Sequence, residues 1–139
     1  MAGATRVCVK LEKIEDFEVW KAADVFWSAV NAIVSKPSFG KEFDLRDQIK
    51  DAIDSILSNL SEGFEQPTDR GFARYVYYTK GSTAEACTRL RIARGRGFIS
   101  ADELRNFRAQ GDEVRRLANG LIKYLMKTPN RRRGLGNAN

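Results

Sequence analysis

Arginine is the side chain of this sequence with the clearest binding chemistry, because its planar guanidinium can hold two phosphate oxygens at once. The basic residues are concentrated in one half of the chain. Residues 1–66 carry 8 Lys and Arg against 12 Asp and Glu, whereas residues 67–139 carry 16 against 6, which together give the formal net charge of +6. A band of arginines on adjacent helices would follow a nucleic-acid backbone. We predict such contacts at nine positions: Arg74, Arg89, Arg91, Arg94, Arg96, Arg105, Arg108, Arg115 and Arg116.

The same charge pattern has a second interpretation. Four carboxylates, Asp44, Asp47, Asp51 and Asp54, are spaced three or four residues apart and form an acidic ridge on a predicted helix. The arginines could pair with this ridge on a neighbouring subunit instead of binding nucleic acid. No helix-turn-helix, zinc-finger or aromatic RNA-binding motif indicates that base sequence is read.

Catalytic and metal-binding chemistry has little support in the sequence. There is no histidine, and Cys8 and Cys87 lack the spacing of a metal site or a redox pair. Ser55 and Ser58 have no visible base, and no glycine-rich phosphate loop follows a strand. We therefore expect a protein that is not an enzyme and that uses no metal or cofactor.

Four helices would have to position these side chains. Apolar residues recur at helical spacing over residues 17–35, 45–64, 69–95 and from 101 to about 127, and no strand pattern is present. Asp16, Thr68 and Ser100 are the expected N-caps, the last in a capping box with Glu103. The fold expected is all-α, an antiparallel up-down-up-down four-helix bundle. It would span residues 16–128, between a flexible lead-in at 1–15 and a disordered basic tail at 129–139.

Small and polar residues suggest where helices approach each other closely. On the second helix they lie beside the apolar stripe, and on the third helix a Gly-Ser pair interrupts the middle of the helix. The predicted packing motif comprises Ser55, Ser58, Asn59, Glu62, Gly63, Gly81 and Ser82. Alternatively, the second helix is an ordinary core helix whose opposite face is in contact with solvent.

The first helix is apolar nearly all round, since thirteen of the 18 residues from Phe17 to Val34 are apolar or alanine. Such a helix is buried on more than one side, so we predict that part of it contacts another subunit. The predicted interface residues are Val19, Trp20, Val25, Phe26 and Trp27. The alternative is that these side chains only fill the bundle core.

Three pieces of the sequence, in order, resemble the four helix bundle protein family. They are Phe17-Glu-Val-Trp-Lys-Ala22, the positions Gln48-Ile49, Ala52, Ser55-Ile56, Ser58-Asn59-Leu60 and Glu62-Gly63, and Gly81-Ser-Thr-Ala-Glu85 with Leu90. That family includes proteins encoded by intervening sequences of 23S ribosomal RNA genes, and the accessory variability protein of diversity-generating retroelements is a relative. The resemblance covers about residues 16–126 and departs from the family pattern at Asp44, Asp51 and Leu57.

The resemblance implies a four-helix bundle assembled as a ring of five subunits with a basic surface. For the retroelement branch it also implies contact with nucleic acid or a reverse transcriptase. We expect a cytoplasmic homo-oligomer, without a membrane segment, that binds RNA or DNA non-specifically, alone or beside a nucleic-acid-processing enzyme. The alternative is a purely structural or protein-interaction oligomer with no nucleic-acid role.

Overall fold

The computed structural model describes residues 11–127, which form four helices. These are α1 (Glu18–Val34), α2 (Phe43–Phe64), α3 (Asp69–Gly95) and α4 (Ala101–Leu125), with 3-10 turns at Ile14–Asp16 and Pro37–Phe39. No strand occurs in the described part of the chain, and each helix packs on two others in the cyclic order α1, α2, α3, α4. The predicted all-α four-helix bundle is confirmed. Most of the predicted lead-in and the whole predicted tail lie outside the described residues.

Two of the three expected N-caps are present. The Thr68 hydroxyl accepts a hydrogen bond from the Gly71 amide at 3.0 Å. Ser100 and Glu103 form the expected capping box, with reciprocal bonds of 3.0 and 2.8 Å. The prediction for Asp16 is wrong, because its carboxylate accepts from the amides of Glu12 and Lys13 and so caps the preceding 3-10 turn. Helix α1 therefore begins one residue later than predicted, at Glu18, with Phe17 in the N-cap position.

All four helices contribute to one buried apolar core, and α2 supplies its central face. Its buried apolar side chains are the ones that the helical periodicity indicates: Leu45, Ile49, Ala52, Ile53, Ile56 and Leu60. At the end of α2 the Phe64 ring packs edge-on against Phe17 and Phe72, with centroids 5.6 and 6.1 Å away. This face fixes α2 between α1 and α3.

The core also takes in part of α1 that we predicted to contact another subunit. Val19 is 3% exposed and Phe26 is fully buried, so these two interface predictions are wrong. Both side chains point inward because α1 packs on α2 and α4 at once. Trp20 and Trp27 are half-buried, and the Trp27 indole donates a 2.8 Å hydrogen bond to Asp54 of α2. Val25, 58% exposed, is the one predicted interface residue with most of its side chain on the surface.

Close helix approach occurs at glycines, but not at the one predicted in α3. Gly81 is exposed, and a Cβ added there would meet nothing within 4 Å, so its assignment to a packing contact is wrong. A Cβ on Gly63 would lie 2.7 Å from the Tyr75 Cβ, and one on Gly111 would lie 2.6 Å from the Cys87 sulfur. Helices α2 and α3 therefore meet at Gly63, and α3 and α4 meet at Gly111.

The polar part of the predicted packing motif does not join helices either. Within residues 11–127, the side chains of Ser55, Ser58, Asn59 and Glu62 make no hydrogen bond to another helix; Ser58 donates to the Ser55 carbonyl of its own helix. The buried hydrogen bond between α2 and α3 has its donor on α3, since the Thr79 hydroxyl donates to the Ile56 carbonyl at 3.4 Å. A hydroxyl on α3 therefore makes the interhelical hydrogen bond that we expected from the small polar residues of α2.

Candidate nucleic-acid interface

The contact between Gly111 and Cys87 sets the register of α3 against α4. Because Gly111 has no side chain, the two helices come close enough for a Cβ there to clash with the Cys87 sulfur. The helices run in opposite directions, so residues after Cys87 lie beside residues before Gly111. This register brings Arg91 and Arg94 of α3 to the same level as Arg105 and Arg108 of α4.

Two adjoining depressions follow this seam, and we call them together the seam cleft. The larger has a volume of about 500 Å³ and the smaller about 160 Å³, and Arg108 lines both. The larger is lined by Arg94, Ala101, Leu104, Arg105, Arg108, Ala109 and Asp112. The smaller is lined by Ala84, Cys87, Thr88, Arg91, Arg108 and Arg115. Five of the nine predicted arginines therefore meet at one surface.

Five of the predicted arginines are held by protein groups. Arg105, Arg115 and Arg116 pair with the acids three residues earlier on α4, Asp102, Asp112 and Glu113. The hydrogen bond from Arg116 lowers the pKa of Glu113, so this exposed pair stays ionised at neutral pH. These pairs are on the surface, where an ion pair stabilises little and can be exchanged for another partner.

The other two partnered arginines point toward α2 and not toward the cleft. Arg89 donates to Glu85 at 3.1 Å and to Gln48 of α2 at 2.7 Å. Arg96 pairs with Glu42, just before α2, at 3.5 Å. The predicted cluster of Arg89, Arg91, Arg94 and Arg96 is therefore divided between two sides of α3.

Four predicted arginines have no hydrogen bond or salt bridge to any residue within 11–127: Arg74, Arg91, Arg94 and Arg108. All four are exposed. Three of them, Arg91, Arg94 and Arg108, line the seam cleft, while Arg74 lies nearer the start of α3. A guanidinium carries five N–H donors, so these side chains keep their full donor set for a ligand.

The thiol on the floor of the cleft does not offset this charge. Burial raises the pKa of Cys87, and Asp112 raises it further, while Arg115 and Arg108 act in the opposite direction. The net direction is upward from a value already above neutral pH, so the thiol is uncharged there. The smaller depression is thus positive, with three guanidiniums around a neutral floor.

Sequence reasoning missed Cys87 and Thr88 as lining residues and missed the acids that hold three of the arginines. The sequence contains a spacing pattern that indicates the lining residues and another that indicates the acids. Ala84, Thr88 and Arg91 are spaced four and three apart and therefore share a helix face, and an acid precedes Arg105, Arg115 and Arg116 by three residues in each case.

The acidic ridge is not in contact with the seam cleft. Asp44, Asp47, Asp51 and Asp54 are all exposed on α2, which packs on α1 and α3. Asp47 is paired with Arg46, and Asp54 accepts from Trp27. The described chain therefore has an acidic surface on α2 and a basic surface along α3 and α4.

No group of three or more His, Cys, Asp or Glu side chains within residues 11–127 is arranged to hold a metal ion. Within the same residues, no helix has the length and apolar character needed to cross a membrane.

Comparison with known proteins identifies the family. A search of curated proteins gave no match. The 23S rRNA-intervening sequence protein family matches over residues 15–120, which takes in α1, α2, α3 and most of α4. The resemblance seen in the sequence is thereby confirmed, and the chain belongs to the 23S rRNA-intervening sequence protein family.

Proposed function

We propose that this protein is a homo-oligomeric, non-catalytic accessory protein that binds nucleic acid without base specificity through the seam cleft. The observation that carries the proposal is the meeting of Arg91, Arg94 and Arg108 in one cleft with no salt bridge to the described residues. Arg105 and Arg115 of the cleft are paired with acids, but these three guanidiniums have no acidic partner among the described residues, so their like charges repel each other and a polyanion would reduce that repulsion. Phosphate matches the guanidinium fork, and contacts to phosphate alone carry no sequence information.

An oligomer would strengthen such binding. Each subunit would present one seam cleft, and several weak phosphate contacts acting together raise the overall affinity. A ring of five, the assembly that the family resemblance implies, would repeat the cleft five times. Head-to-tail contact, in which two different surfaces of each subunit meet, forms a ring when the rotation between subunits closes.

Charge reversal in the cleft tests nucleic-acid binding. The variant carries Arg91→Glu, Arg94→Glu and Arg108→Glu, and the matched control carries Lys13→Glu, Lys36→Glu and Lys41→Glu on exposed positions outside the four helices. Both triples reduce the formal net charge from +6 to zero, so only the location of the change differs. Fluorescence anisotropy with labelled single-stranded RNA and duplex DNA at about 50 mM salt measures the affinity.

We expect the cleft triple to bind at least about tenfold more weakly and the control to stay close to wild type. Three phosphate contacts correspond to a slope of about −2 to −3 in log affinity against log salt, and the cleft triple should flatten it. If wild type binds neither RNA nor DNA under these conditions, the proposal fails.

The alternative function is a purely structural one, and two observations favour it: some arginines of α3 already have protein partners, and the acidic ridge on α2 is exposed. Arg89 and Arg96 already bind groups on and beside α2, which shows that arginines of α3 suit the polar side chains there. The same pairing between subunits would make the charges purely structural. In that case the cleft triple would dissociate the oligomer, as light scattering would show, and wild type would not bind nucleic acid.

The contribution of α1 to assembly is tested at Val25. We expect Val25→Glu to shift the protein toward monomer, because a charge would replace an apolar side chain of α1 that is 58% exposed. Asn106→Glu, at an exposed position of α4, introduces the same charge and serves as the control. Light scattering at micromolar concentration measures both. An unchanged mass for Val25→Glu would remove α1 from the interface.

A further inference from the structure

We infer that the nucleic acid on this surface is single-stranded and that Tyr77 stacks on one of its bases. The inference rests on the proposed function, because it names the form of nucleic acid that the same surface takes. Tyr77 is 54% exposed on α3, although a tyrosine ring is large and mostly apolar. An exposed aromatic ring beside a basic surface offers a stacking platform that bases in a duplex cannot reach.

Helical spacing places Tyr77 in line with the seam cleft. Ala84 follows it by seven residues, Thr88 by eleven and Arg91 by fourteen, and these three residues line the smaller depression. Steps of seven and four return to the same helix face. At 1.5 Å per residue, Tyr77 and Arg91 lie about 21 Å apart along α3. A strand following this stripe would therefore meet a ring at one end and guanidiniums at the other.

The surroundings of Tyr77 are also basic. The Lys80 ammonium lies over one face of the Tyr77 ring, 5.3 Å from its centre, so a base would stack on the opposite face. Arg74, exposed and without a salt bridge within residues 11–127, precedes Tyr77 by three residues. On α4, counting ten residues beyond Gly111 reaches Leu121 at the level of Tyr77, and the exposed Lys123 lies two residues further along. Positive charge thus flanks the ring, where the phosphates on either side of a stacked base would lie.

Tyr78 provides a matched control on the same helix. It is 50% exposed, close to the value for Tyr77. Its ring packs edge-on against Tyr75, with centroids 5.4 Å apart, and Tyr75 lies against Gly63 of α2. Tyr78 is therefore turned toward α2 and away from the stripe that leads to the seam cleft.

The experiment compares Tyr77→Ala, Tyr77→Phe and Tyr78→Ala with wild type, each checked for unchanged helical circular dichroism. The probes are a labelled oligouridine of about 12 nucleotides, which does not pair with itself, and a DNA duplex of the same length. We expect Tyr77→Ala to bind oligouridine at least about fivefold more weakly, and its duplex affinity to stay unchanged. Tyr77→Phe keeps the ring and should bind like wild type, as should Tyr78→Ala.

Three results would overturn the inference while leaving the proposed function intact. They are an unchanged affinity of Tyr77→Ala for oligouridine, an equal loss for oligouridine and duplex, and a loss in Tyr77→Phe as large as that in Tyr77→Ala. The last would mean that the hydroxyl, and not the ring, makes the contact. If wild type binds neither probe, the proposed function itself fails, and this surface belongs to a protein contact.

Discussion

Phe26→Ala is expected to lower the free energy of unfolding by about 3–5 kcal/mol, the largest stability effect predicted for this protein. The side chain is fully buried in the bundle core. It also lies next to the α3–α4 contact, since a Cβ on Gly111 would be 3.8 Å from its Cε1 atom. Removing the ring would leave a cavity beneath the close approach that forms the seam cleft.

The neighbouring residue supplies the control. Val25→Ala removes apolar atoms from a side chain that is 58% exposed, so its unfolding free energy should change by no more than about 0.5 kcal/mol. Urea denaturation at one fixed protein concentration, followed by circular dichroism, measures both variants. If Phe26 instead contacted another subunit, Phe26→Ala would reduce the oligomer mass while the fold kept its stability.

The contrast between Phe26 and Val25 shows where sequence reasoning about the fold stops. Periodicity predicts the buried face of α2 and α3 well, because polar residues mark the opposite side of each helix. Helix α1 has apolar residues nearly all round, so the pattern does not identify which of them face the core. That choice depends on how α1 rotates against α2 and α4, a tertiary property that a single helix does not encode.

The candidate site, like the fold, could be predicted from the sequence only in part. The sequence places the arginines on the third and fourth helices, and the structure has them there. Arg89 and Arg91 are only two residues apart, yet they point to different neighbours, since two residues correspond to more than half a helical turn. Which arginines meet in the seam cleft depends on the register that Gly111 sets against Cys87.

The same alanine substitution at two glycines should change stability in opposite directions. In a helix interior, alanine is favoured over glycine by about 1 kcal/mol. Gly81 is exposed and has room for a Cβ, so Gly81→Ala should raise the free energy of unfolding by up to that amount. Gly63 is buried, and a Cβ there would lie 2.7 Å from the Tyr75 Cβ and 2.9 Å from the Phe72 ring.

Gly63→Ala should therefore lower the free energy of unfolding by about 1–3 kcal/mol, because the overpacking exceeds the gain in helix propensity. The Tyr75 Cβ is fixed to the α3 backbone, so α2 and α3 must separate to admit the methyl group. Thermal melts of the two variants beside wild type, followed by circular dichroism, give the comparison. A Gly63→Ala protein that melts at or above the wild-type temperature would show that α2 and α3 do not approach at Gly63.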